Sequence, residues 1–136
     1  MNYFIKLNIF ALLYGFVIYI QTELMGNVYR ISRITNLSIK ATNVVIGVAM
    51  LIIFISSTFM FFFVSSKYFN KGNIRYILTV LWIPYFIIYV WLTNIIIPIT
   101  SPEDKPAPVI GLILFAYYFA YPFYIAIINT ISVKKQ

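Results

Sequence analysis

The stretch Asn43–Ser66, NVVIGVAMLIIFISSTFMFFFVSS, runs for 24 residues without a charged side chain. At a rise of ~1.5 Å per residue, ~20 mainly apolar residues cross a hydrocarbon core ~30 Å thick. This stretch is therefore long enough to span. Ser56, Ser57 and Thr58 interrupt it at mid-depth. Their hydroxyls can bond a carbonyl one turn back, the favoured reading, or a neighbouring helix, and either makes burial in lipid tolerable. Working outward, Tyr3–Thr22, Tyr76–Thr100 and Val109–Val133 repeat the pattern, with Lys6 as the one charge among them. The fold expected is all-α: a polytopic membrane protein whose residues 1–136 form one integral domain, a small bundle of four transmembrane helices.

Between the first two spans, residues 24–42 carry Arg30, Arg33 and Lys40, too many charges for a fifth span. Val28, Ile31, Ile34, Leu37 and Ala41 recur at steps of three or four, which gathers them on one helical face. That spacing predicts a short amphipathic helix on the membrane surface. Asn70-Lys-Gly-Asn73 reads as a tight turn, with Gly72 suited to a chain reversal. Ser101–Pro108 is a stiff, Pro-rich loop holding Glu103 and Asp104. Pro84 and Pro122 lie inside the third and fourth spans, where each removes a backbone donor; a kink is expected at Pro84. The first stretch is read as a retained span, because Gln21, Thr22, Glu23 and Leu24 follow it instead of a small-residue cleavage site.

Composition narrows the chemistry. The chain has no Cys and no His, and its acids are Glu23, Glu103 and Asp104, all outside the apolar cores. No thiolate nucleophile, imidazole base or buried carboxylate pair is available, so no catalytic, cofactor-binding or metal-ligating residue is assigned. Lys6, near one end of its span, reads as a snorkelling interfacial Lys and not as part of an ion pathway. The net charge of +7 sits in loops and tails that flank spans. The partner it implies is the lipid bilayer, not nucleic acid. If both termini are cytoplasmic, Lys6, Lys67, Lys71, Arg75, Lys134 and Lys135 lie inside and Arg30, Arg33, Lys40 and Lys105 outside. This bias selects the termini-inside orientation.

The fourth span is the most patterned. Tyr117, Tyr121 and Tyr124 fall at i, i+4 and i+7 on one stripe, and Ala116 and Ala120 make a small-xxx-small pair beside it. Tyrosine hydroxyls in lipid need partners, so this face is expected to meet another helix. That helix belongs either to this chain, the favoured reading, or to a partner. The small pair would permit close approach.

Two stretches resemble the small inner-membrane immunity proteins of pore-forming colicins. One is the opening Tyr3-Phe-Ile-Lys-Leu-Asn-Ile-Phe and the tail Val17-Ile-Tyr-Ile20 of the first span. The other is Ala107-Pro-Val-Ile-Gly-Leu-Ile-Leu-Phe-Ala-Tyr117, Ala120-Tyr-Pro-Phe123 and the Lys-tipped Ile131-Ser-Val-Lys-Lys135. Phe63-Val-Ser-Ser-Lys-Tyr-Phe-Asn-Lys71 is similar to a basic-aromatic turn of the same proteins. These stretches cover under half of the chain. Its third span departs from family members that have only three, so no residue role is carried over. The resemblance implies a bacterial inner-membrane protein, of the kind encoded beside a toxin on a plasmid. Such a protein binds the toxin's hydrophobic helical hairpin laterally and keeps the channel closed. Helix-face complementarity suffices for that task. Two other classes stay open on the residues alone: an accessory or structural subunit of a larger membrane complex, and a small transporter or channel component. A phage-type lysis pore and an enzyme rank below these. Ser56 and Ser57 have no His, and no acid in the same span, to activate them.

Overall fold

A computed structural model describes residues 2–68, 74–98, 105 and 108–134. They form α1 (Tyr3–Gly26), α2 (Val28–Thr35), α3 (Ile39–Tyr68), α4 (Leu78–Ile96) and α5 (Pro108–Lys134), with a 3-10 turn at Ile74–Ile77 leading into α4. No strand occurs among the described residues. Four helices, all but α2, are long and apolar enough to cross a membrane. The chain is thus a multi-pass membrane protein with an all-α bundle. The expected turn at 70–73, the acidic pair Glu103 and Asp104, and the last residues 135–136 lie outside the described residues.

Local chemistry sets the boundaries. The Asn2 side chain accepts a hydrogen bond from the Phe4 amide at 3.0 Å and caps α1. α1 overruns the expected end at Thr22 and stops at Gly26, where the Asn27 amides, backbone and side chain, bond the Glu23 carbonyl. The surface helix is shorter than the spacing predicts. Asn36 adopts a left-handed conformation (φ 59°) and ends α2 there. Val28, Ile31 and Ile34 remain on α2, whereas Leu37 falls in the link and Ala41 belongs to α3. The Ser38 hydroxyl accepts from the Ala41 amide at 3.1 Å, so α3 begins four residues before the expected Asn43. α4 ends at Ile96, short of the expected Thr100, because Pro98 restricts the backbone of the residue before it. Both Pro84 and Pro122 lie inside continuous helices.

The spans pack as two parallel pairs, α1 with α4 and α3 with α5, each pair antiparallel to the other. Along the first pair, the Tyr85 hydroxyl donates to Asn8 Oδ1 at 2.6 Å and the Tyr89 hydroxyl to the Leu12 carbonyl at 3.1 Å. Tyr19 and Thr93 join their hydroxyls farther along. Gly15 makes this pairing possible. A Cβ placed on it would stand 3.1 Å from the Trp82 carbonyl oxygen and 3.2 Å from the Phe86 amide. The second pair is pinned by the hydroxyls of Thr58 and Tyr124 at 2.7 Å and by Ser65 donating to Asn129 Oδ1 at 2.8 Å.

Aromatic rings fill the centre. Tyr14 stacks on Phe61 with ring centroids 3.9 Å apart, and Tyr121 meets Trp82 edge-on at 5.0 Å. Tyr14, Ile18, Phe61, Leu78 and Ile125 are almost wholly buried. Outward faces stay apolar, as at Leu112, Phe119 and Phe123 of α5, because the surrounding solvent is lipid. Lipid tails give apolar faces no reason to associate. Close packing and interhelical hydrogen bonds of ~0.6 kcal/mol on average hold such a bundle together.

Candidate functional site

α3 and α5 touch along only part of their length. Contact runs from Thr58–Tyr124 to Ser65–Asn129, in the half of the bundle nearer the chain termini. Toward α2 the two helices part and leave a cleft of about 490 Å³. Its walls are Phe54 and Ser57 of α3 and Ile113, Ala116, Tyr117 and Ala120 of α5; Val17, Ile18 and Gln21 of α1 form its floor. Tyr121 and Tyr124 close its narrow end.

All five residues of the predicted contact face line this cleft, but they divide into two groups. Tyr121 and Tyr124 turn toward the chain's own helices. The Tyr121 hydroxyl donates to the Tyr14 carbonyl at 2.6 Å, and that of Tyr124 bonds Thr58. Ala116, Tyr117 and Ala120 are exposed and touch no facing helix closely enough to be buried. The expected close approach at Ala116 and Ala120 is therefore absent within the chain. The close approach is at Gly15, between α1 and α4, because α3 splays from α5 where the small pair lies.

Gln21 was missed by sequence reasoning, which took it for the polar end of a span. It is almost wholly buried, and its side-chain amide donates to the Met50 carbonyl of α3 at 3.0 Å. This bond fixes α3 against the cleft floor. Two of the three mid-span hydroxyls, those of Ser57 and Thr58, bond the Phe54 carbonyl one turn back, as expected. Thr58 also reaches across to Tyr124 of α5, the neighbouring-helix contact that the sequence left open beside back-bonding. A usable signal existed in the recurrence of single amides, Asn8, Gln21 and Asn129, inside otherwise apolar spans.

One turn back along α5 from Ile113, Val109 and Ile110 border a smaller recess of about 120 Å³ beneath α2, together with Tyr29, Ile39 and Asn43. A third recess, of about 170 Å³, lies between the ends of α1 and α4 and holds Glu23, Asn27, Arg30, Thr93 and Asn94. At the opposite end, Lys6 and Lys67 flank the Tyr68 ring at 5.3 and 5.4 Å. Lys6 of α1 and Lys67 of α3 thus gather at one end of the bundle. Among the described residues no cluster of three or more His, Cys, Asp or Glu side chains could hold a metal ion. The main cleft offers shape, apolar surface and a few hydroxyls, which suits recognition. No protein-family model, curated protein or solved structure matches the chain.

Proposed function

We propose that this chain is a non-enzymatic protein of the bacterial inner membrane, with both termini cytoplasmic. In this reading it protects its host against a pore-forming bacteriocin by binding the toxin's hydrophobic helices sideways in the bilayer. One observation carries the proposal: the exposed part of the patterned face, Ala116, Tyr117 and Ala120, borders a cleft that opens between two spans. A toxin helix laid across the mouth sends its side chains into the cleft, and the two alanines let its backbone come near. Tyr117 offers a hydroxyl at the rim. Binding of this kind holds the toxin's hairpin in an arrangement that cannot open a channel. It requires no chemistry of bond breaking, in keeping with the residue types present.

The test is protection of cells against pore-forming toxins encoded on the same replicon. Cells making the wild-type chain survive a cognate toxin. The Ala120→Leu variant, which fills the mouth, accumulates in the membrane to the same level and protects poorly. Unchanged protection by a stable Ala120→Leu protein removes this face as the recognition surface. Failure of the wild-type chain against every such toxin overturns the protective reading and leaves the accessory-subunit reading in its place.

A further inference from the structure

The wedge between α3 and α5 has a second consequence, independent of any toxin. Its walls meet at the 2.7 Å contact between Thr58 and Tyr124. A whole helix needs ~10 Å of width, so none can lie within the wedge along its length. The cleft opens from between two membrane-spanning helices, so its mouth faces hydrocarbon and not water. Its volume of about 490 Å³ falls in the ~300–1,000 Å³ range of small-ligand sites. Empty space there would forfeit dispersion contacts along both walls, and water finds few polar partners on a lining so apolar. A single methylene chain is slim enough to follow the wedge.

One turn back along α5 from Ile113 of the cleft lies the recess beneath α2, where Tyr29 and Asn43 supply polar groups. Lys40, exposed on the first turn of α3, stands one turn from Asn43. Arg33 is exposed on α2, one turn from Tyr29. Two exposed basic side chains thus stand one turn from residues that line the recess. We propose that the α3–α5 cleft is a binding site for one phospholipid of the adjacent leaflet. An acyl chain lies between Phe54 and Ala120, and an anionic head group lies at the recess beneath α2. The proposal rests on the cleft alone and does not require the protective reading.

Photolabelling tests it. The full chain is reconstituted in phosphatidylcholine vesicles doped with a phosphatidylglycerol that carries a diazirine at mid-chain. After irradiation, adducts are mapped by peptide mass spectrometry. Adducts concentrate several-fold on Phe54, Ala116, Tyr117 and Ala120 relative to Leu112, Phe119 and Phe123, which are equally apolar and more exposed on the same or a neighbouring helix. Ala120→Leu lowers labelling of Phe54 and Tyr117 and leaves Phe119 and Phe123 unchanged. Replacing the probe by its phosphatidylcholine counterpart reduces cleft labelling and not labelling of the outer faces. Adducts that simply follow exposure overturn the site. So does a wild-type cleft free of adducts. Because no toxin enters the assay, its result is separate from that of the protection test.

Discussion

The Tyr121 hydroxyl donates to the backbone carbonyl of Tyr14 at 2.6 Å, while the Tyr14 hydroxyl, buried beside it, has no hydrogen-bond partner among the described residues. Two tyrosines of the same core therefore contribute in opposite senses. Leaving a buried polar group unsatisfied costs ~1–3 kcal/mol. Tyr14→Phe, which keeps the ring on Phe61, should hold or raise the thermal unfolding midpoint of the detergent-solubilised chain. Tyr121→Phe should lower it, by the ~0.6 to ~1.7 kcal/mol typical of a hydrogen bond between membrane helices. A midpoint that falls as far for Tyr14→Phe as for Tyr121→Phe would contradict this account.

Gly15 sets the spacing of α1 and α4. A methyl group there meets backbone atoms of Trp82 and Phe86, which cannot swing aside as a side chain would. Gly15→Ala should destabilise the bundle by about 1–3 kcal/mol, the usual cost of overpacking. Gly47→Ala should incur no overpacking cost, because a Cβ there meets nothing within 4 Å beyond its chain neighbours and its own helix backbone. Unfolding of both variants in a denaturing detergent series gives the comparison.

Ile52 lies midway along α3 and is 59% exposed. On a water-facing helix an arginine there would be tolerated. In lipid it costs on the order of 2.5–3.5 kcal/mol on insertion scales. Ile52→Arg should therefore accumulate poorly in membranes, whereas Thr35→Arg, exposed at the end of α2, should accumulate normally. Equal amounts of the two by immunoblot would remove Ile52 from the bilayer.

Ser65 and Asn129 are both buried, and their 2.8 Å bond ties α3 to α5. A double-mutant cycle with Ser65→Ala and Asn129→Ala should show a coupling near ~0.6 kcal/mol and below ~1.7 kcal/mol. Additive losses would mean that the bond contributes nothing beyond what each residue does alone.

The orientation proposed from charge has its own check. A reporter fused after Gln136 should be active only in its cytoplasmic form, and one inserted at Lys105 only in its periplasmic form. The reverse pattern would place α2 and its arginines in the cytoplasm.

Hydropathy made the four spans legible, since length and apolar content alone decide whether a helix can cross. It could not pair them. Helices apolar on every side carry no stripe to mark the face they bury, and the pairing of α1 with α4 depends on one small residue, Gly15, among bulky ones. The surface helix was legible from its spacing, but its end was not, because the left-handed turn at Asn36 is a backbone choice that apolar spacing does not encode. The tyrosine stripe was visible on α5. Its division into Tyr121 and Tyr124, used inside the chain, and Tyr117, left at a rim, depends on where α3 diverges. Near that divergence the Gln21 side chain holds the Met50 carbonyl of α3.

The pairing of first with third span and second with fourth has a bearing on how the molecule is made. Neither pair is adjacent in the chain, so no two successive spans form a finished hairpin as they leave the ribosome. The first span must wait in the bilayer for Tyr85 and Tyr89 before Asn8 and the Leu12 carbonyl find their tyrosine partners. The second waits for Asn129, near the end of the last span. Assembly is therefore a late event in synthesis, and a nascent chain halted before α5 would hold neither the cleft nor the bonds that close its narrow end.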